Sequence, residues 1–91
     1  MEDHINWQDF GPFLRHLRRS RGISQDRLAR QLGCDRTYIW RLERGARHPS
    51  TFMLRLLMHC VPLSASEREW LRAFEHLRQT DRAVELIEQE R

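Results

Sequence analysis

Ser24-Gln25-Asp26-Arg27-Leu28-Ala29-Arg30-Gln31-Leu32-Gly33-Cys34-Asp35-Arg36-Thr37-Tyr38-Ile39-Trp40-Arg41-Leu42-Glu43-Arg44-Gly45 is the stretch of this 91-residue chain on which its fold turns. Ser24 is a hydroxyl placed to accept a bond from a free N–H at a helix start, and the helix Gln25–Leu32 follows with Leu28, Ala29 and Leu32 on its inner face. Gly33 supplies a tight turn. Asp35 then caps a helix Arg36–Arg44 that buries Ile39 and Leu42, and Gly45 stands where a left-handed C-cap is wanted. Two short helices are thus joined by a turn of three residues.

The same periodicity extends in both directions. Upstream, Phe10, Phe13, Leu14 and Leu17 recur at helical spacing, with Asp9 as a cap, Pro12 tolerable in the first turn and Gly22 closing the helix. Downstream, Pro49 and Ser50 open a fourth helix carrying Leu54, Leu57, Met58 and Val61, and Pro62 stops it. Ser64 with Glu67, or Ser66 with Glu69, forms a capping box for a fifth helix with Trp70, Leu71, Phe74 and Leu77 on its apolar face. Beyond Gln79 the pattern fits either one unbroken helix or a short sixth one capped by Thr80 or Asp81. Ala73, Leu77, Thr80, Val84 and Ile87 keep a 4-3-4-3 spacing suited to a seam against a partner helix. No strand pattern is present, so the fold class is all-α, a five-helix arrangement with a helical C-terminal extension; the domain division falls at residues 9–63, with 64–91 as the extension.

Composition narrows the function. A chain this short removes only ~60–65% of its unfolded surface from water, which argues against a deep catalytic pocket. The longest run free of Arg, Asp and Glu, Leu56 to Ser66, is about half a membrane span and contains His59 and Pro62, so no membrane contact is expected. Glu2 and Asp3 open the chain where a secretory signal would need basic residues, which points to the cytoplasm. Cys34 and Cys60 sit among apolar neighbours and read as two buried, reduced thiols. No Gly-rich phosphate loop, metal-ligand spacing or acid–base pair is present, so neither an enzyme nor a cofactor is expected.

Charge is more informative. All sixteen basic residues are Arg, against thirteen acids. Met1–Pro12 carries three acids and no Arg, hence −3; Phe13–Arg55 carries eleven Arg and three acids, hence +8; Leu56–Arg91 carries five Arg and seven acids, hence −2. A basic block between acidic ends is the asymmetry of a polyanion binder.

The helix pair with its short Gly turn is the helix-turn-helix layout, in which the second helix lies in the DNA major groove. Phe10-Gly11-Pro12-Phe13-Leu14-Arg15-His16-Leu17-Arg18, Gly22-Ile23-Ser24-Gln25, Leu28-Ala29, Gly33, Ile39, Leu42-Glu43, Gly45 and Pro49-Ser50 together resemble the lambda-repressor/Cro-like (XRE) helix-turn-helix family. The resemblance covers Asp9–Leu63, roughly sixty per cent of the chain.

It implies roles residue by residue. Arg36, Thr37, Trp40 and Arg41 match the family's base-reading positions; Arg36 and Arg41 suit guanine O6/N7, and Thr37 the thymine methyl. Trp40 departs from the family's common small polar residue, and it can pack on a thymine methyl or sugar, cover a neighbouring side chain, or meet another protein. Gln25, at a helix N-terminus, matches a phosphate-contacting position. Tyr38, Arg44, Arg47 and His48 are the other expected phosphate contacts. Arg18 and Glu43 match an inter-helix ion pair. Apart from the resemblance, the apolar stripe of the acidic segment Glu67–Arg91, with Trp70, Phe74, Leu77, Val84 and Ile87, is expected to make a dimer or partner contact, either completing the core and joining a homodimer or holding a different protein.

The resulting expectation is a sequence-specific regulator of transcription, a repressor, that binds double-stranded DNA as a homodimer. Its palindromic half-sites would lie ~34 Å apart. The alternative is a protein-interaction module, such as an antitoxin whose C-terminal helices hold a toxin.

Overall fold

The computed structural model describes residues 9–89, with side-chain surroundings for residues 9–77. It contains five helices and, among the described residues, no strand: α1 Phe10–Ser20, α2 Gln25–Leu32, α3 Arg36–Glu43, α4 Thr51–Cys60 and α5 Ala65–Gln89. The fifth is one continuous helix, which settles the question left by the residues after Gln79.

Hydroxyl caps start three of these helices. Ser24 accepts from the Arg27 N–H and Ser50 from the Met53 N–H, both at 3.0 Å. Ser64 and Glu67 form the reciprocal box that opens α5: the Glu67 N–H donates to the Ser64 hydroxyl at 3.1 Å, and the Ser64 N–H to the Glu67 carboxylate at 2.8 Å. Asp9 and Asp35 hold their expected N-cap positions, but neither side chain makes a cap hydrogen bond. At Asp9 the backbone is already helical (ψ −9°), whereas Ser24 and Ser50 have the extended ψ near 165° that aims a side chain at the N3 amide.

The helix ends around the turn depend on glycine. After α2, Gly33 at φ 70° lets the Cys34 N–H reach back to the Ala29 carbonyl. After α3, with Arg44 as C-cap and Gly45 at φ 76°, the Ala46 N–H bonds the Arg41 carbonyl at 2.9 Å. Each is a Schellman closure, which needs a left-handed residue that a Cβ would strain.

A single core joins all five helices. Phe10, Leu14 and Leu17 of α1, Leu28 and Leu32 of α2, Ile39 and Leu42 of α3, Leu54 and Leu57 of α4, and Leu71 and Phe74 of α5 are all buried in it. α3 packs against both α2 and α1, while α4 lies against α2 and α5. Gly11 is where α1 meets α3 most closely: a Cβ there would stand 2.6 Å from the Glu43 carbonyl oxygen and 2.8 Å from that of Leu42.

Packing corrects two expectations. Phe74 is fully buried, so it belongs to the core and not to a dimer or partner contact, and the first turns of α5 complete the core of residues 10–61. Trp70 is half-buried, stacked on Phe13 at 4.1 Å and on Phe74 at 5.4 Å within the domain. Leu77 is half-buried; the side chains of Val84 and Ile87 lie outside the described residues. The thiols are the second correction. Cys34 is half-buried and Cys60, closing α4 at the edge of its buried stripe, is exposed. Burial and the nearby Asp35 charge push the Cys34 thiol up.

Candidate nucleic-acid interface

α3 has two unlike faces. Ile39, Leu42 and Glu43 point into the molecule, and Arg36, Thr37, Trp40 and Arg41 are exposed. Tyr38, between them, is half-buried against the core. Arg44, Arg47 and His48 are exposed in the turn that leads to the buried Pro49. The helix therefore presents two arginines on its outer face, a third at its C-cap and a fourth just beyond. Among the described residues, none of Arg36, Arg41, Arg44 and Arg47 makes an ion pair.

The inner face carries the compensating chemistry. The Glu43 side chain is 0% exposed and Arg18, from α1, only 12%. Arg18 Nε donates to Glu43 Oε2 at 2.7 Å and Nη2 to Oε1 at 3.1 Å, a two-pronged pairing, while Nη1 donates to the Ile23 carbonyl at 3.1 Å. Gln25 Nε2 donates to Glu43 Oε1 at 3.1 Å, and Arg15 Nε stands 3.6 Å from the same oxygen. Burial pushes the Glu43 carboxyl up, but the Arg18 and Gln25 hydrogen bonds and the Arg18 and Arg15 charges outweigh it and hold it below the usual carboxylate range. The Glu43 hydrogen bond raises Arg18 in turn, against an opposing contribution from burial. One buried carboxylate thus ties α1, the start of α2 and the last turn of α3 together.

Gln25 carries a contact beyond its expected one: its amide is turned inward to Glu43, so one of its two N–H bonds is engaged in tying the start of α2 to α3. Two further residues were given no role by sequence reasoning. Arg15 adds its charge from one turn before Arg18, a spacing of three that helical geometry makes legible. Arg21 reaches from the end of α1 to the Pro62 carbonyl and to Glu67, 2.8 Å away, a contact 46 residues apart in sequence that no local pattern announces. The aromatic side chains of α3 also touch arginines: the Arg44 guanidinium lies 4.8 Å from the Trp40 ring centre, and that of Arg47 5.7 Å from the Tyr38 ring.

A short helix pair closed by a Gly turn, with its second helix basic outside and clamped inside, defines a helix-turn-helix domain. The family model described as a helix-turn-helix domain matches residues 9–71, about two thirds of the chain, and the chain belongs to that family. The match agrees with the resemblance to lambda-repressor/Cro-like domains and extends through Leu71, the first fully buried residue of α5. No curated protein and no solved structure matches the chain significantly. Among the described residues, no helix is long and apolar enough to cross a membrane, and no His, Cys, Asp and Glu cluster could hold a metal ion.

Proposed function

We propose that this chain is a sequence-specific DNA-binding regulator of transcription of the XRE type, acting as a repressor on a palindromic operator in the cytoplasm, at the nucleoid. The observation that carries the reading is the division of charge on α3. Its one acid, Glu43, is buried and neutralised from behind, while Arg36, Arg41, Arg44 and Arg47 face outward without acidic partners among the described residues. Arg36 and Arg41, with Thr37 between them, are assigned to base edges in the major groove; Trp40 shares their face. Arg44, Arg47, His48 and the second N–H of Gln25 are assigned to the phosphates that set register, with the Tyr38 ring beside Arg47.

Selection of binding sites from random duplex DNA at ~150 mM salt tests the proposal. Recovery of a defined motif supports it, and recovery of none refutes it. A palindromic motif with half-site centres ~34 Å apart supports the dimer.

The length of α5 favours one further assignment. The helix runs fifteen residues past Phe74, the last fully buried residue among those of its side chains that are described, to Gln89. We assign that segment to the homodimer contact; a different protein, such as a toxin, is the second reading. Light scattering on the full chain and on one ending at Leu77, which keeps every core residue among the described side chains, separates them. A full-length dimer that becomes monomeric on truncation supports the first, and a monomer in both cases refutes it.

A further inference from the structure

Two of the outward arginines are not isolated. Arg44 follows Trp40 by four residues, so helical geometry places its guanidinium over the indole, 4.8 Å from the ring centre. Arg47 returns across the Gly45 turn to lie 5.7 Å from the centre of the Tyr38 ring. Both distances fall inside the ~6 Å reach of a cation–π contact. The platforms themselves are held: Tyr38 packs against the core, and Trp40 stands on the rigid helix while remaining 44% exposed.

A guanidinium lying on a ring keeps its edge N–H groups available, and those are the atoms that bond a phosphate. Stacking also restricts a long side chain before any ligand arrives, which lowers the ordering cost of binding. We infer that Trp40 and Tyr38 are positioning residues whose rings pre-set Arg44 and Arg47 as a two-armed phosphate clamp beside the base-reading pair Arg36 and Arg41. The inference rests on the DNA-binding reading and assigns Trp40 to one of the three roles its sequence context left open, that of covering a neighbouring side chain.

The test uses the full chain and fluorescence anisotropy with two labelled duplexes, the best site from the random pool and a scrambled version of it. Trp40→Ala should weaken both duplexes alike, by about two- to fivefold, the range of an exposed cation–π contact, with base preference unchanged. Trp40→Phe should restore most of the loss, because a ring remains. The Trp40→Ala, Arg44→Ala double variant should bind no more weakly than Arg44→Ala alone. On the other arm, Tyr38→Phe should bind like the wild type and Tyr38→Ala like Arg47→Ala.

A Trp40→Ala variant that loses preference at one base position, or that adds its full loss to that of Arg44→Ala, overturns the positioning role and makes Trp40 a base reader. Equal losses in Tyr38→Phe and Tyr38→Ala assign the second arm to the hydroxyl and overturn it. If the wild-type chain binds neither duplex, the DNA-binding reading itself fails. These results differ, so each failure identifies its own cause.

Discussion

Replacing Arg18 by Met keeps most of the aliphatic stem and removes the charge that answers Glu43. The Glu43 carboxylate is fully buried, and Arg18 supplies two of its three side-chain hydrogen bonds. What remains is one N–H from Gln25 and the charge of Arg15, 3.6 Å away on a side chain that is 43% exposed. Breaking a buried pair from one side costs roughly 3–5 kcal/mol, because the surviving charge is stranded. With Gln25 and Arg15 still in place, the lower end applies, about 3 kcal/mol. A domain of this size has ~5–14 kcal/mol in all, and each kcal/mol is worth ~4–8 °C, so the midpoint should fall by at least ~12 °C.

Urea and thermal unfolding followed by circular dichroism measure this directly. The double variant Arg18→Met, Glu43→Met should recover most of the loss, since no charge is then left unpaired. The pH dependence should invert as well. In the wild type Glu43 is held below its ordinary range, so its contribution is present above the unfolded pKa, about 4.3, and is lost as pH falls through the folded value. In Arg18→Met burial prevails and the folded value rises, so the variant should gain on the wild type as pH is lowered from about 7 to about 5. A loss below about 1 kcal/mol, or a double variant weaker than the single one, would refute the reasoning.

Gly11→Ala puts a methyl 2.6 and 2.8 Å from two backbone oxygens of α3, so α1 must move; despite the better helix propensity of Ala, calorimetry should show a loss of ~1–3 kcal/mol. Arg36→Ala should relax base preference at one operator position, whereas Arg47→Ala should weaken all duplexes alike and reduce the salt slope by about one; identical effects would contradict the assignment of roles. The Arg21 and Ser64 hydrogen bonds hold Glu67 at about 2, against burial. Its contribution is therefore present above the unfolded pKa of about 4.3 and is lost as pH falls towards 2, and Glu67→Gln should flatten acid unfolding in that window.

The punctuation of this chain was legible because it is local. Ser24, Gly33, Gly45 and Ser50 act on amides and carbonyls within a few residues, so their chemistry determines helix ends wherever the rest of the chain goes. The outward face of α3 was legible for a similar reason: once Ile39 and Leu42 turn inward, the 3.6-residue period places Arg36, Thr37, Trp40 and Arg41 outside. The place of Phe74 is not legible locally, because an apolar stripe on a helix looks the same whether it meets its own core or another chain. Only the length of α5 already used by the core distinguishes the two. The inward turn of Gln25 and the reach of Arg21 to Glu67 depend on where distant helices meet, and nothing local encodes that. Trp40 over Arg44 was recoverable from an i, i+4 spacing, whereas Arg47 over Tyr38 depends on the path of a turn.

The basic block of Phe13–Arg55 divides into two populations with different work. Arg15 and Arg18 answer Glu43, Arg21 answers Glu67, Arg30 pairs with Asp26 at 2.6 Å, and Arg55 approaches Glu75 at 3.9 Å. Of the eleven arginines in the block, five thus have acidic partners; among the described residues the other six, Arg19, Arg27, Arg36, Arg41, Arg44 and Arg47, have none. Four of those six lie on α3 or in the turn that follows it. An arginine already paired with a carboxylate must give up that partner to engage a phosphate, and it releases fewer counterions when it does. The free charge is therefore concentrated on one helix and its exit, and two of the paired arginines, Arg15 and Arg18, hold that helix in place through Glu43. This separation makes the two classes experimentally distinct: substitutions of Arg18 and Arg21, whose pairs are largely buried, should appear in unfolding curves, and substitutions in the second class in salt-dependent binding.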